Sequence, residues 1–478
     1  MNSPIGMLAL LLTIPAAIVL FSKLPTVRAA LVIIFGATLF LPEMIYFNLP
    51  GLPGFDKYSI PNLCILIGVL VRERRKVQEA QLGRGIDLLV LAMFLAAMGT
   101  ALTNGDGLTY GPTRLQALNA WSGLSRCVMI FLGVFALSLF VSARTLFRSG
   151  ADARELLKAL VIACIVYSPF MLVELRMSPQ WHKWIYGFHQ HSFAQSVRDG
   201  GYRPMVFMAH GLALALFTCA AAFAAWALVK GRTKLLGFPS WPFAAFLSLL
   251  LMGLNSLGAL VYLVAMLPIA WFLSPKAQLR VAVALAIFVF AYPVLRGTEL
   301  FPREGILDLA AKASQDRAGS LAFRFHNEDL IFERAMERPL FGWGQNGRSH
   351  VYVVETGAAV STTDGAWIAV LGQGGIVGYV AYYGLLLLPV LMALRNIDRI
   401  AEADRPLLSG LALVLVVYAV DQIPNGIFNG FGTLLAGAVA GLAQGMPQEK
   451  GQARPELRML LMALLVRRYR AARRREAA

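Results

Sequence analysis

Charge and cysteine are both scarce in this 478-residue chain: 15% of positions are charged and four are cysteine. Cys64, Cys127, Cys164 and Cys219 all fall in apolar stretches, without CxxC or Cys/His spacing. That pattern excludes a disulfide-stapled secreted domain and reads as packing, not as a metal centre. Acidic residues are fewer than basic ones, 27 against 43, which leaves a net charge of +16. There is no DxD pair for a nucleotide-sugar metal, no HExxH, no GxxxxGK[ST] and no GxSxG. The reading therefore expects no metal and no cofactor. Repeats of solenoid period and low-complexity linkers are missing too.

What the chain has in excess is apolar surface. Hydrophobic residues make up 58% and the mean hydropathy is +0.63, more than a soluble domain can hide. The apolar residues come in blocks of membrane-crossing length. They fall near 4–21, 29–46, 59–71, 86–103, 119–142, 157–174, 205–229, 240–254, 256–273, 279–295, 375–394, 406–421 and 429–444. The expected fold is an all-α polytopic integral membrane protein of about 13 transmembrane helices. Residues 1–295 hold the first ten helices, 296–374 a large outer loop, 375–444 the last three helices, and 445–478 a basic tail.

The basic excess has a place. With the first end outside, most of the 43 lysines and arginines fall in alternate short connections and in the tail. Positive charge resists translocation, so this asymmetry reports orientation and not a nucleic-acid partner. Runs such as Arg72, Arg74, Arg75, Lys76 and Arg473, Arg474, Arg475 read as anchors on anionic membrane lipids. The first block has no Lys or Arg before it and no small-residue cleavage site, which argues against a cleaved signal peptide.

Polar chemistry gathers on the outer side. The two long connections are there, 175–204 and 296 to about 370, and all six histidines fall in or beside them. Arg126, Glu174, His210 and Asp421 lie in the outer thirds of expected helices. Charges at membrane depth face protein-lined cavities and have partners, so these four point to a polar chamber open outward. The aromatic segment Gln180–Phe193 reads as lying at the interface.

Ser320–Glu337 reads as an amphipathic helix stopped by Pro339. Leu321, Phe325, Phe332 and Met336 share one face, beside a stripe of Arg324, Asn327, Arg334 and Arg338. Guanidinium groups on one helical edge suit a phosphate or diphosphate. Glu328, Glu333 and Glu337 stand at helical spacing from them, so a salt-bridged solvent face fits the same pattern. The glycines of Gly372–Gly378 lead into an apolar helix without a preceding strand and read as close helix packing.

Three stretches resemble the O-antigen ligase and Wzy-type polymerase superfamily, membrane glycosyltransferases of the GT-C class. Gly201-Tyr-Arg-Pro-Met-Val-Phe-Met-Ala-His-Gly211 is similar to the family's arginine-containing entry into a middle helix. Ser320-Leu-Ala-Phe-Arg through Pro339-Leu-Phe-Gly-Trp-Gly344 is similar to its SxxxR … PxxGxG loop signature. Asp364-Gly-Ala-Trp through Gly378 resembles the HNxxLxxxxxxGxxG opening of the next helix, and Asn255-Ser-Leu-Gly-Ala259 echoes a turn usually written SRG without its arginine.

The resemblance implies a GT-C-like fold and an inverting glycosyltransferase whose donor is an undecaprenyl-diphosphate-linked oligosaccharide. It makes Arg203 and Arg324 the candidates for the diphosphate and puts Asp364 where the ligases carry a histidine that serves as base or orients the acceptor. His350 nearby is the alternative base. Arg126, Glu174, His210, Arg334, Arg338, His350 and Asp421 are the candidate substrate-binding groups. The expected location is the bacterial inner membrane with the site facing the periplasm, and a polysaccharide chain-length regulator is a candidate partner. The aspartate favours polymerisation over ligation to a lipid A acceptor, with ligation to another acceptor the alternative. From a different class, a lipid-linked-glycan flippase or transporter would also be polytopic. It would need a polar path through both leaflets, whereas the charges here cluster outward.

Overall fold

The computed structural model describes residues 3–49, 52–133, 135–198 and 201–445; the basic tail beyond Gly445 lies outside them. The first helices are α1 (Pro4–Lys23), α2 (Thr26–Phe40), α3 (Ser59–Arg72), α4 (Arg74–Glu79) and α5 (Leu88–Thr103). The small β-hairpin β1–β2 (Leu108–Tyr110, Thr113–Leu115) leads to α6 (Ala120–Leu132), α7 (Leu137–Leu146), α8 (Gly150–Met177) and α9 (Trp181–Tyr186). Then come α10 (Gly211–Lys230), α11 (Trp241–Gly253), α12 (Leu257–Phe272) and α13 (Pro275–Gly297). The large loop carries α14 (Arg303–Ala313) and α15 (Gln315–Met336), and the chain continues with α16 (Ala366–Asn396), α17 (Arg405–Asp421) and α18 (Phe431–Gly445).

Seven helical stretches are long and apolar enough to cross a membrane, with shorter apolar helices beside them. The protein is thus an all-α, multi-pass membrane protein. Each of the thirteen apolar blocks contains helix, although α2 ends at Phe40 within the 29–46 block and α8 begins at Gly150, before the 157–174 block; three further boundaries differ. The block at 119–142 is broken into α6 and α7, because Ala136 adopts φ +48°. The carbonyl of Leu132 freed by the break accepts the Asn62 side-chain amide at 2.8 Å, and Phe135 turns in against Tyr382 and Phe428. Apolar residues on both sides of the break hide it from hydropathy. The block at 205–229 becomes helical only at Gly211, because the peptide N–H groups of Met205 and Val206 are taken by Glu174. In the third case α16 starts at Ala366, before the expected block.

The core is built on α10, α16, α17 and α18, whose residues are mostly buried. Small residues let these helices approach, as at Gly437, where a methyl group would sit 2.9 Å from the Ala143 side chain. The basic connections share one end of the bundle, where Arg28–Glu155, Arg154–Asp404 and Lys276–Asp398 pair at 2.6–2.7 Å. Arg144 and Asp87 form a buried pair there. The long loops and α15 share the other end.

Candidate functional site

The glycine-rich run in α16 is a break that receives a loop. Gly375 sits at φ +64°, ψ −167° inside the helix, a backbone region open essentially to glycine alone. Such a break frees backbone groups that must find partners. The segment Pro339–Gly344 supplies them. Ile376 N–H donates to the Pro339 carbonyl at 2.7 Å and Val377 N–H to Leu340 at 3.2 Å. In return Trp343 N–H and Gly344 N–H donate to Gly372 and Gln373 carbonyls at 2.9 and 3.0 Å. Gly342, at φ +68°, lies so close that a side chain there would meet the Gly375 nitrogen at 2.6 Å. The two glycine motifs therefore act as a single joint that ties α15 to a membrane helix.

Above the joint the arginines of α15 separate in role. Arg334 and Arg338 stack on Trp343, their guanidinium carbons 3.3 and 4.1 Å from the ring centre. Arg334 also pairs with Glu337 at 2.5 Å and donates to the Tyr110 hydroxyl at 2.8 Å. Arg338 donates to the Thr103 carbonyl and to Asn104, and pairs with Asp106 at 2.8 Å. That ion pair holds the Asp106 carboxyl below its ordinary range. These two residues fix the end of α15 against α5.

Arg324, more than two turns earlier, faces a different set of groups. Its Nη1 donates to the Pro424 carbonyl at 3.0 Å and its Nε lies 3.9 Å from Asp364. Both side chains are about one-third exposed. A guanidinium has five N–H donors, and among the described residues Arg324 commits one to a hydrogen bond. Asn327 accepts the Thr362 N–H at 2.6 Å, which lays the segment before Asp364 along α15. The Ala366 N–H donates to the Gln422 carbonyl at 2.9 Å, fastening the same segment to the end of α17. There Asp421 accepts from the Asn425 amide at 2.9 Å and interacts electrostatically with Tyr262 of α12. His350 meets the Thr363 hydroxyl at 3.3 Å, one residue from Asp364, and burial lowers the affinity of its ring for a proton.

Arg203 lies against the turn between α11 and α12. Its Nε and Nη2 donate to the carbonyl of Asn255 at 3.2 and 2.8 Å, and the Asn255 amide returns a bond to Tyr202 at 3.1 Å. Asn255, at φ +50°, is the break between α11 and α12. Gly211 makes room for the arginine stem, since a methyl there would lie 2.5 Å from Arg203 Cγ. Tyr262 stands seven residues beyond Asn255, about 10 Å along the helix, so α12 links Arg203 to the Asp421–Arg324 group.

The remaining sequence candidates lie outside this group. Glu174 receives four backbone N–H groups, those of Gln180 and Trp181 on one oxygen and Met205 and Val206 on the other, all at 2.8–3.0 Å. His210 caps α10, its Nδ1 accepting the Leu212 N–H at 3.0 Å. Arg126 lines a cavity of about 610 Å³ between α5, α6 and α16. Arg203, Arg324 and Asp364 are not among the residues that line it.

Several functional-looking groups were not singled out by the sequence. Glu328, one turn after Arg324, accepts from the Trp367 indole at 3.0 Å and faces Arg296 at 3.5 Å. Burial pushes its carboxyl up to about 7. In sequence it looked like a surface salt-bridge partner of the arginines. Arg348 is 1% exposed and donates to the carbonyls of Trp343, Asp106 and Gln116. Its isolation in the loop gave no periodic signal. His182, also 1% exposed, bridges Phe188 and Glu43.

A family model described as O-antigen ligase matches residues 242–383. The match spans the Asn255 turn, the Arg324 helix, the Pro339–Gly344 loop and the Asp364–Gly378 opening, and supports the resemblance to the O-antigen ligase and Wzy superfamily over that stretch. The Arg203 motif lies outside it. No curated protein matches the chain.

Proposed function

We propose that this chain, a membrane protein with the O-antigen ligase match over residues 242–383, transfers a glycan from a polyprenyl-diphosphate carrier to a saccharide hydroxyl. The site faces the periplasm of a bacterial inner membrane, and the reaction extends lipid-linked repeat units. The observation that carries this reading is Arg324. Among the described residues it commits a single hydrogen bond, fewer than Arg334 or Arg338 of the same stripe, and it stands beside Asp364 at the mouth of α16.

The chemistry follows from those groups. A glycan joined to a diphosphate through its anomeric carbon already has a good leaving group, so charge stabilisation matters more than protonation. Arg324, with Arg203, meets the negative charge that grows on the departing phosphate oxygen as the anomeric C–O bond breaks. The acceptor hydroxyl oxygen forms the new bond from the opposite face, and its proton passes to the Asp364 carboxylate as attack begins. Direct displacement inverts the anomeric centre.

The test is purified protein with defined lipid-linked repeat units, scored for ladder growth and for transfer to a second acceptor. Arg324→Ala and Asp364→Asn are each expected to lower turnover at least 100-fold, the latter with donor binding retained. Full turnover in both variants refutes the assignment. The description of the matching family favours a second reading, ligation to another acceptor; product on that acceptor without a ladder selects it.

A further inference from the structure

The site around Arg324 leaves Arg126 unexplained. Arg126 projects from α6, and its Nη2 donates to Gln373 Oε1 at 3.3 Å. Its guanidinium lies 5.5 Å from the Phe135 ring centre. Nη1 is buried and has no hydrogen-bond partner among the described residues. A guanidinium stays charged at neutral pH, and an uncompensated charge at membrane depth is strongly unfavourable. The neutral amide and the ring do not balance it.

The cavity beside Arg126 has the features of an amphiphile site. Its volume, about 610 Å³, is within the range that encloses a small ligand. Arg114 and Arg348 also line it, and no aspartate or glutamate does. Arg348 is already saturated by carbonyls and faces Asp106 at 3.5 Å, so the unbalanced buried charge belongs to Arg126, while Arg114 is an exposed cation on the cavity wall. The lining changes character with position: Met93, Ala97, Met129 and Ile130 are apolar, while Gln116 and Asn346 offer amides.

We propose that this cavity is a second binding site, for the phosphate of a lipid-linked saccharide. Arg126 and Arg114 hold phosphate oxygens, the amides meet sugar hydroxyls, and the apolar wall of α5 and α6 receives the first units of the chain. Gln373 lies seven residues beyond Ala366, where α16 begins just after Asp364, or about 10 Å along the helix. Two lipid phosphates can therefore be held at once, one at each arginine station. Under the reading above, which supplies the identity of the natural ligand, the Arg324 station takes the donor and the Arg126 station the acceptor.

Native mass spectrometry of the protein in neutral detergent tests this by counting bound undecaprenyl phosphate, with phosphatidylglycerol, undecaprenol and inorganic diphosphate as the other probes. The expected result is two copies on the wild type, and one on Arg126→Ala, its lost site weakened at least tenfold. Arg324→Ala keeps the Arg126 copy. Arg126→Gln, which retains a neutral donor toward Gln373, replaces the alanine variant if that does not fold. Two copies with unchanged affinity on the Arg126 variant overturn the proposal. Equal occupancy by phosphatidylglycerol or by undecaprenol overturns the assignment to a saccharide carrier, and equal occupancy by inorganic diphosphate overturns the amphiphile. Loss of one copy on Arg126→Ala with none lost on Arg324→Ala sustains this proposal while removing the donor role of Arg324.

Discussion

Replacing Gly375 with alanine tests the joint on which the site is mounted. At φ +64°, ψ −167° a side chain costs on the order of 1–3 kcal/mol in backbone strain alone. The added methyl would also collide with the Leu340 carbonyl and lie 2.5 Å from the Phe341 nitrogen. These are backbone atoms, so the loop must withdraw. Withdrawal exposes the four backbone hydrogen bonds of the joint, each contributing about 1 kcal/mol. Together the loss is roughly 1–7 kcal/mol, the upper end applying if the loop leaves entirely. Gly374 is the control: nothing lies within 4 Å of a methyl there, and glycine to alanine in a helix is favourable by about 1 kcal/mol. Unfolding of the two variants in the same detergent, followed by tryptophan fluorescence across a denaturant series, measures the difference. The Gly375→Ala protein is also expected to lose turnover, because the end of α15 is no longer held. Equal stability of Gly374→Ala and Gly375→Ala would refute the argument that the loop docks in the helix break.

Glu174→Ala is expected to destabilise by several kcal/mol, since two buried and two half-buried N–H groups lose their acceptor, the buried ones at about 1–3 kcal/mol each before relaxation; detergent-solubilised yield and melting temperature report it. His182 gives a pH signature. Burial pushes its ring down to about 4 from the ordinary 6.5, so the neutral ring's contribution is complete above pH 6.5 and lost as pH falls through 4. The loss is on the order of 3 kcal/mol, and a His182→Gln variant should melt with a flatter dependence between pH 4 and 6.5. Arg338→Ala, which removes the Asp106 pair and the contacts to Thr103 and Asn104, is expected to lower stability more than Arg324→Ala, with donor binding as the comparison that separates the two.

The fold was largely legible in the sequence because membrane spans announce themselves by length and hydropathy, and every apolar block contains helix. The break between α6 and α7 was not, since it occurs among apolar residues and is satisfied by Asn62, 70 positions away. The stripe on α15 was visible as a pattern. Its division into holding arginines and Arg324 was not, because Trp343 and Asp106 reach it from distant parts of the chain. Glu328 was misjudged for the same reason: α15 periodicity gives its neighbours along the helix, whereas its environment comes from Trp367 and Arg296.

The clamp at Glu174 has a consequence for biogenesis. Two of its four partners, the peptide groups of Gln180 and Trp181, leave the ribosome just after it, but Met205 and Val206 follow some thirty residues later. Until they arrive, one carboxylate oxygen at the end of α8 stays hydrated. Final seating of that helix therefore needs the returning segment, and α8 and the entry to α10 are expected to settle together.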